Sequence, residues 1–412
     1  MKKILIVSNG PLCRNPRVVK EAGTLGRAGY DVTVLTVRNH AASEIHDAAL
    51  LTGAPFRRVP VEMLPGFATS GPRVFFRRLR LWAARKLARF PGLQSIHSLG
   101  PASTLLRAAR RLPADLTIVH NEIAHWVGTK LLDDGRAVAA DMEDWHSEDL
   151  LPADRRYRPL AVLRRIEHAL LHRAGYVTAT SHAMADALHS RHGGKQPEVL
   201  TNSFPLEPDY RRHAPSQPPA FFWFSQTLGA GRGLEPFLAA WSQMRQPSKL
   251  VLLGESAGDF GPQLLASVPV ALRPHLKFLA LVPATELPGL IAQHDIGLAL
   301  EPASSANNDL TISNKILQYL NAGLAVVATG TRGQREVLAR APAAGLTISL
   351  ENPAALAGQL DEFIADRTQL ETRQHAARQL AETYYCWEIE APKLLALVSA
   401  ALTRSGSTAA GA

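Results

Sequence analysis

The sequence has few cysteines and no long apolar run. Of its 412 residues only Cys13 and Cys386 are cysteines, which are too few for a disulfide framework and lack metal-ligand spacing. No stretch approaches the roughly 18 apolar residues of a membrane span. The apolar run at 4–7 is shorter than the roughly 7–15 residues of a secretory signal. The simplest expectation is a folded protein of a reducing cytoplasm.

Acidic residues are scarce in the first half of the chain. Residues 1–205 contain 29 Lys or Arg and 18 Asp or Glu, a net +11, whereas residues 206–412 contain 16 and 18, a net −2. The overall make-up, 46% hydrophobic and 20% charged, excludes collagen, coiled coil and disorder. At this length a single core has usually stopped growing, so two domains are expected.

Short apolar runs alternate with helix-period segments along both halves. Continuous rather than alternating apolar residues indicate strands buried on both faces, which predicts α/β domains with doubly wound, Rossmann-like parallel sheets. The predicted strands are 3–8, 31–37, 116–120, 137–142, 176–181, 197–202, 221–225, 249–254, 277–281, 296–301, 325–330 and 345–350.

A proline-rich stretch separates the two halves. Residues 204–220 contain five prolines and no periodicity, which predicts a linker between a domain at 1–203 and a domain at 221–385. A helix at 386–403 is expected to pack back towards the first domain, and 404–412 is expected to be a disordered tail. Ligands of such sheets bind at the carboxyl ends of the strands, so a cleft between the domains is the expected site.

Two segments of the second half have the features of a phosphate site. In 308–338, Ser313 or Asn314 can cap a helix whose first turn contains Lys315, although a solvated lysine is an equally good interpretation. In 221–241, Gly231 and Gly233 flank Arg232, whose guanidinium can bind two phosphate oxygens. With Glu255 this loop could instead form a dinucleotide site, but its spacing is GxGxG rather than GxGxxG.

Acids and histidines follow two strands of the first half. His120 and Glu122 follow the strand at 116–120, and Asp141, Glu143 and Asp144 lie at the end of the strand at 137–142. Asp141, Glu143 or Asp144 could act as a general base, although a solvated loop charge is the more common state of each such acid. A metal site that includes His146 lacks a recognised ligand spacing.

The segment 72–90 has seven basic residues and no acid. It predicts an amphipathic helix that binds an anionic membrane surface. A helix packed on the core with a solvated basic face is the alternative. No nucleic-acid motif accompanies the charge, so nucleic acid is not expected as a partner. The proposed membrane-contacting residues are Phe75, Phe76, Arg77, Arg78, Arg80 and Trp82.

Three segments together resemble the family 4 (group 1) glycosyltransferases of GT-B fold. They are MKKILIVSNGPLCRNPRVVKEAGTLGRAGYDVTVLTV, then VTATSHAMADAL with EVLTNSF, and SNKILQYLNAGLAVVAT. The resemblance covers nearly the whole chain. It implies a nucleotide-diphosphate sugar bound by the C-terminal domain, an acceptor bound mostly by the N-terminal domain, and retention of configuration without a metal or other cofactor.

The resemblance also implies residue roles in the donor site. Arg232 matches a family lysine on the diphosphate, and Gln226 replaces a family arginine. Lys315 would join Arg232 there because of its place in the first turn of the helix. The family's two glutamates, separated by seven residues, fall on Leu310 and Gln318; Gln318 keeps one acceptor oxygen for the ribose. Asp309, Asn308 or Asn307 could substitute for the glutamate lost at Leu310.

Other roles concern the first half. Either His120 or Glu122 would bind the transferred sugar, and Asn9, Gly10 and Pro11 would approach the donor. The expected function is therefore a retaining glycosyltransferase with a lipid-linked or saccharide acceptor at the cytoplasmic membrane face. A nucleotide-sugar epimerase and a non-catalytic scaffold subunit are the alternatives.

Overall fold

The computed structural model describes residues 1–38, 41–62, 72–100, 102–155, 157–207 and 216–409. The chain forms two compact units. Unit 1 consists of Met1–Leu200 with Ala391–Ala412, and unit 2 of Thr201–Glu390. Within the described ranges, no helix combines the length and apolar character needed to cross a bilayer.

Unit 1 contains a seven-stranded parallel sheet in the order β3-β2-β1-β4-β5-β6-β7. Its strands are β1 Lys3–Ser8, β2 Asp31–Arg38, β3 Arg57–Glu62, β4 Leu116–His120, β5 Val138–Met142, β6 Val177–Ala179 and β7 Glu198–Val199. Its helices are α1 Pro16–Arg27, α2 Ala41–Leu51, α3 Pro72–Leu87, α4 Ala102–Arg111, α5 Asn121–Asp133, α6 Pro152–Arg155, α7 Leu160–Arg173 and α8 His182–His192.

Unit 2 contains a six-stranded parallel sheet in the order β10-β9-β8-β11-β12-β13. Its strands are β8 Ala220–Leu228, β9 Lys249–Ser256, β10 Leu276–Leu279, β11 Ile296–Ala299, β12 Ala325–Thr329 and β13 Gly345–Ile348. Its helices are α9 Leu234–Trp241, α10 Phe260–Ser267, α11 Leu287–Ile291, α12 Ala306–Leu310, α13 Asn314–Asn321, α14 Arg332–Arg340, α15 Pro353–Ala365 and α16 Arg367–Tyr384. The last helix, α17, spans Trp387–Ala409.

Both faces of the unit 2 sheet are covered by apolar side chains. Phe221 and Trp223 of β8 belong to one core cluster, and Phe222 between them belongs to the other. Successive residues of a strand point to opposite faces, so two clusters that share one strand lie on the two sides of the sheet. In unit 1, every residue of β4 and of β5 is buried, as in a sheet covered on both faces.

The predicted fold class, two doubly wound Rossmann-like sheets, is confirmed. Each predicted strand overlaps an observed one, but β3 was not predicted. This strand contains two arginines and Pro60 and lies at the edge of its sheet, where one ladder is missing and proline is tolerated. The short helix α12 was not predicted either.

The end of the chain is helical through the first part of the expected tail. Helix α17 extends to Ala409, and thus includes residues 404–409, because Ser, Thr and Ala continue it without a proline. Within unit 1, Arg404 of this helix donates a hydrogen bond to the carbonyl oxygen of Gly175 at 3.2 Å. Of the predicted linker, residues 208–215 lie outside the described residues.

Candidate functional site

The order of the strands identifies one candidate binding position at the carboxyl edge of each sheet. In unit 1 the order reverses between β1 and β4, and in unit 2 between β8 and β11. Ligands of open α/β sheets bind beyond the carboxyl ends of the strands at such a point. The residues that follow these four strands are therefore the candidates, and most of the residues predicted from sequence lie among them.

In unit 2, the loop after β8 presents Arg232. The Nη1 group of Arg232 donates to Ser225 Oγ at 3.0 Å, which orients the guanidinium along the end of the strand. Gly233 is required here, because its φ is 76° and a Cβ would lie 2.8 Å from Leu350 Cδ1. Gly231, at φ 75°, also has a conformation that favours glycine.

Lys315 lies in the first turn of α13 and makes two charge contacts. Its Nζ is 2.5 Å from Glu301 Oε1, just after β11, and 5.6 Å from the centre of the Trp223 ring. The predicted phosphate-binding lysine is thus paired with a carboxylate that sequence analysis did not single out. The sequence signal for Glu301 was its position as the last residue of the predicted strand 296–301.

A close approach between β11 and α13 determines this position. A Cβ on Gly297 would lie 2.1 Å from the Tyr319 ring, so only glycine allows the helix to pack this near the strand. The Tyr319 hydroxyl donates to the carbonyl oxygen of Leu298 at 3.2 Å. The lysine and the end of β11 therefore lie on a fixed scaffold.

Gln318 follows Lys315 by three residues and shares its side of α13. Its Oε1 is buried and has no hydrogen-bond partner among the described residues, as expected of an atom that accepts a hydrogen bond from a ligand hydroxyl. At the start of the same helix, Ser313 Oγ accepts from the Ile316 N–H at 3.4 Å, and Asn314 Oδ1 accepts from Asn202 Nδ2 at 3.0 Å.

The proposed substitutes for the glutamate lost at Leu310 have other partners. Leu310 is buried, and both oxygens of Asp309 accept from Arg332, one from its N–H at 3.0 Å and one from its Nε at 2.6 Å. Asn307 Oδ1 accepts from the Thr311 hydroxyl at 3.3 Å, and Asn308 Nδ2 donates to Ser304 Oγ at 2.9 Å.

In unit 1, the loop after β1 contains Asn9 and Gly10. Asn9 Oδ1 is buried and has no hydrogen-bond partner within the described ranges, and a Cβ on Gly10 would have no neighbour within 4 Å. Asp47 fixes the loop, because its carboxylate accepts hydrogen bonds from the N–H groups of Leu12 at 3.1 Å and Cys13 at 2.8 Å. An unsatisfied acceptor beside open space suits a ligand that approaches this loop.

His120 and Asp141 lie in a buried charge network with two residues of α1. Arg17 forms a bidentate ion pair with Asp141, and Arg17 Nε lies 3.4 Å from Glu21 Oε1. His120 Nε2 lies 3.2 Å from Glu21 Oε2, and His120 Nδ1 lies 3.3 Å from Asp141 Oδ2. Thr178 donates to Asp141 Oδ1 at 2.9 Å.

The electrostatics of this network oppose a role for Asp141 as a base. Burial alone would raise the pKa of its carboxyl, but the charges of Arg17 and His120 lower it to about 2. Burial alone would lower the pKa of His120, but Glu21 and Asp141 raise it. Both side chains are inaccessible to solvent. A metal could find ligand atoms of Glu21, His120 and Asp141 within 4.8 Å of one another, but Arg17 already forms ion pairs with both carboxylates.

Glu122 is the more accessible member of the predicted sugar-binding pair. It lies in the first turn of α5, after Asn121, whose φ of 69° marks a strained strand end. Arg158 Nη1 donates to Glu122 Oε1 at 3.4 Å, and His146 Nδ1 lies 3.6 Å from Glu122 Oε2.

Glu143 and Asp144 follow β5 and remain partly exposed. Burial and the charge of Asp144 raise the pKa of Glu143 to about 7. A carboxyl that titrates near neutrality at the end of a sheet strand is suited to proton transfer.

Replacing His146 with Gln is expected to change the pH dependence of stability. Burial alone would lower the pKa of His146, but Glu122 and Asp149 raise it to about 9. This contribution is fully present below the unfolded pKa of about 6.5 and is lost as the pH rises through 9. Urea unfolding should therefore show the wild-type advantage over His146→Gln falling by roughly 3 kcal/mol between pH 6 and pH 10.

The control for this experiment is His189→Gln, which changes an exposed histidine of α8. Its difference from wild type should stay nearly constant over the same range. A pH-independent effect of His146→Gln would show that the ion pairs with Glu122 and Asp149 do not form.

Helix α3 exposes its apolar side. Phe75 is 63% exposed, Phe76 65% and Trp82 59%, and Leu79 lies between them on the helix surface. At about 100° per residue these four side chains form one stripe, and the exposed Arg78 and Arg80 lie at its two edges. The side chain of Arg77 lies outside the described residues. The alternative of an apolar face packed on the core is thus wrong for this stripe.

No motif in the sequence pointed to Arg17, Glu21 or Glu301. The signal for the first two was their spacing of four residues on the side of α1 that also carries Val18 and Leu25. Charged residues on the apolar side of a helix are rarely buried unless they are paired.

Comparisons with known proteins support the observed fold. The sequence pattern of the family described as Glycosyl transferases group 1 matches residues 219–366, within unit 2. No curated protein sequence matches the chain significantly.

Solved structures of similar fold cover almost the whole chain. Sucrose-phosphate synthase from Thermosynechococcus elongatus has 15% identity and a TM-score of 0.69, with 97% of this chain and 98% of that chain covered. HepE from Anabaena, in complex with UDP-glucose, has 17% identity and a TM-score of 0.68, with 97% and 100% covered. A putative UDP-N-acetylglucosamine 2-epimerase from Listeria monocytogenes has 11% identity and a TM-score of 0.60, with 98% of each chain covered.

These matches assign the two sheets to a known architecture. Residues 219–366 resemble the group 1 glycosyltransferases, and the chain has the GT-B fold.

Proposed function

We propose that the protein is a retaining glycosyltransferase that moves a sugar from a nucleotide-diphosphate donor to a glycolipid or polysaccharide acceptor at the cytoplasmic face of a membrane. The observation that carries the proposal is the edge of the unit 2 sheet. There Arg232, Lys315 and the unsatisfied oxygen of Gln318 follow β8 or begin α13, at the reversal of strand order.

Each of these groups matches one part of such a donor. The guanidinium of Arg232 and the ammonium of Lys315 bind phosphate oxygens and stabilise charge on the leaving diphosphate, which needs no metal or other cofactor. Gln318 Oε1 accepts from a ribose hydroxyl. The similar structure of Anabaena HepE contains UDP-glucose, which supports a donor of this class.

The acceptor side belongs to unit 1 in this proposal. Glu122 binds the transferred sugar, because His120 is enclosed by Glu21 and Asp141. Glu143, with its pKa near 7, takes the acceptor proton or passes it to a phosphate oxygen of the leaving group. His120 and Asp141 stabilise the strand ends that present these groups.

The stripe on α3 binds the membrane that contains or adjoins the acceptor. Large apolar side chains exposed between arginines suit the interface of an anionic bilayer, where each basic residue contributes about 1 kcal/mol. The basic excess of the first half is the long-range part of the same attraction.

Reversing Arg78 and Arg80 to Glu is expected to weaken vesicle binding at least about tenfold, because two attractive charges become repulsive. Sedimentation with phosphatidylglycerol vesicles at low salt measures this effect. A control with Arg191→Glu and Lys195→Glu makes the same charge change on two exposed residues, the first within α8 and the second just after it. Equal binding of both variants, or no binding by the wild type, would contradict the membrane proposal.

Turnover of nucleotide sugars tests the proposed reaction. Incubation with UDP-, GDP- and ADP-sugars and a lipid-linked or oligosaccharide acceptor should release the nucleoside diphosphate and extend the acceptor with its configuration retained. Epimerised sugar formed without an acceptor would favour the epimerase alternative. Binding without any turnover would favour a non-catalytic subunit.

A further inference from the structure

A lysine in the first turn of α13 needs a counter-ion. The positive end of a helix dipole lies at its N-terminus and disfavours Lys315 there. The Lys315 side chain is only 13% exposed, so water compensates little. The Trp223 ring, 5.6 Å from Nζ, gives a modest attraction. Glu301 supplies the full counter-charge, with Oε1 2.5 Å from Nζ.

The main chain of Glu301 is fixed while its side chain reaches solvent. Its N–H donates to Thr329 Oγ1 at 2.9 Å, and its carbonyl oxygen accepts from the same hydroxyl at 2.7 Å. Thr329 is the last residue of β12, so Glu301 stays at the edge of the sheet. The side chain is 24% exposed and can leave Lys315 by rotation alone, without a shift of the strand.

Two polar atoms near this ion pair lack partners. Gln318 Oε1 and Trp223 Nε1 are buried without a hydrogen bond to any described residue. Gln318 lies on the same side of α13 as Lys315, and Trp223 lies under the ammonium. Unsatisfied polar atoms beside an accessible ion pair indicate a site for a polar ligand. An anionic ligand finds its lysine already occupied by a carboxylate.

We propose that Glu301 competes with the donor's diphosphate for Lys315. In the ligand-free protein its carboxylate neutralises the ammonium, and the diphosphate displaces it on binding. This inference rests on the proposed function, because the incoming anion is the diphosphate. An ammonium has three N–H donors, but a carboxylate and a diphosphate held on it together repel each other, so the diphosphate weakens the contact of Glu301 with Lys315. By returning to Lys315, Glu301 favours release of the nucleoside diphosphate product.

A positioning role for Glu301 makes the opposite prediction. If the carboxylate only orients Lys315 towards the ligand, its loss weakens binding. If it competes, its loss strengthens binding. The sign of the effect of Glu301→Gln therefore separates the two roles, and glutamine keeps the size of the side chain.

Calorimetric titration with UDP, GDP and ADP and with the corresponding nucleosides tests the inference. We expect Glu301→Gln to bind the diphosphate about fivefold more tightly than wild type, as for loss of a partly exposed ion pair, and the nucleoside unchanged. In a Lys315→Met background, Glu301→Gln should have no effect. Glu286→Gln, the same charge change on an exposed residue before α11, is the control and should bind like wild type.

The outcomes distinguish the two proposals. Wild-type binding with weaker or equal binding by Glu301→Gln overturns the competition and leaves the donor site in place. Equal tightening in the Lys315→Met background also overturns it, since the effect would then be a long-range charge effect. If the wild type binds none of the diphosphates, the proposed function fails and this inference fails with it.

Discussion

Replacing Arg17 with Met is expected to lower the free energy of unfolding by about 3–5 kcal/mol. Arg17 is fully buried and is paired with Asp141 and with Glu21, so its removal takes the guanidinium away from two carboxylates in the interior of unit 1 and leaves them beside the His120 imidazole. Removing one partner of a buried ion pair lowers the free energy of unfolding far more than the intact pair raises it. Urea unfolding followed by far-UV circular dichroism measures the change.

The matched control is Arg110→Met. Arg110 makes a bidentate pair with Asp134 in the same unit, at 2.7 and 2.8 Å, but both side chains are exposed, so little change is expected. An Arg17→Met variant as stable as wild type would contradict the buried network. If Arg17→Met does not accumulate as a folded protein, Arg17→Lys keeps a charge without the planar fork and should be of intermediate stability.

Replacing Arg232 with Gln is expected to lower kcat/KM with the donor by about 10²–10³-fold. The guanidinium stabilises the charge that develops on the leaving diphosphate, and glutamine keeps a hydrogen-bond donor without the charge. Initial rates of nucleoside diphosphate release measure the loss. The Gly233 position beside it fixes the loop, so the variant should retain the fold.

Arg245→Gln is the control for this prediction. Arg245 lies in the same unit, and its N–H, not its guanidinium, has the structural role of donating to Asp361 at 3.0 Å. Its activity should equal that of wild type. A rate within twofold of wild type for Arg232→Gln would show that this arginine does not face the leaving group.

The sheet strands were predictable because their burial produces a recognisable apolar pattern in the sequence. A strand covered on both faces, such as β12, is an unbroken apolar run, and its neighbours along the chain are helix-period segments. Strand β3 is not an unbroken apolar run, since an edge strand tolerates the two arginines and the proline that disfavour an internal position.

The candidate donor site was partly predictable for a related reason. Arg232 and Lys315 follow strand ends, and the topology of parallel sheets brings such positions to one edge. The partners of these residues were not predictable. Glu301 precedes Lys315 by 14 residues, and their contact depends on how closely α13 packs on β11 at Gly297.

The acid and base assignments of unit 1 depended most on the structure. Asp141 and Glu143 are two residues apart and look equivalent in the sequence. The structure places Arg17 on Asp141, which lowers the pKa of that carboxyl to about 2, while burial and the neighbouring Asp144 raise the pKa of Glu143 to about 7. Only the contacts across the sheet separate a structural carboxylate from a candidate base.

Binding of nucleoside diphosphates to the wild-type protein tests the central claim most directly. A ligand that binds the folded state at 100 times its Kd adds about 2.7 kcal/mol to stability. The Tm should therefore rise by several degrees with at least one of UDP, GDP and ADP or their sugars, and much less with the nucleoside that lacks the diphosphate. No rise with any of them at millimolar concentration would contradict a donor site at Arg232, Lys315 and Gln318.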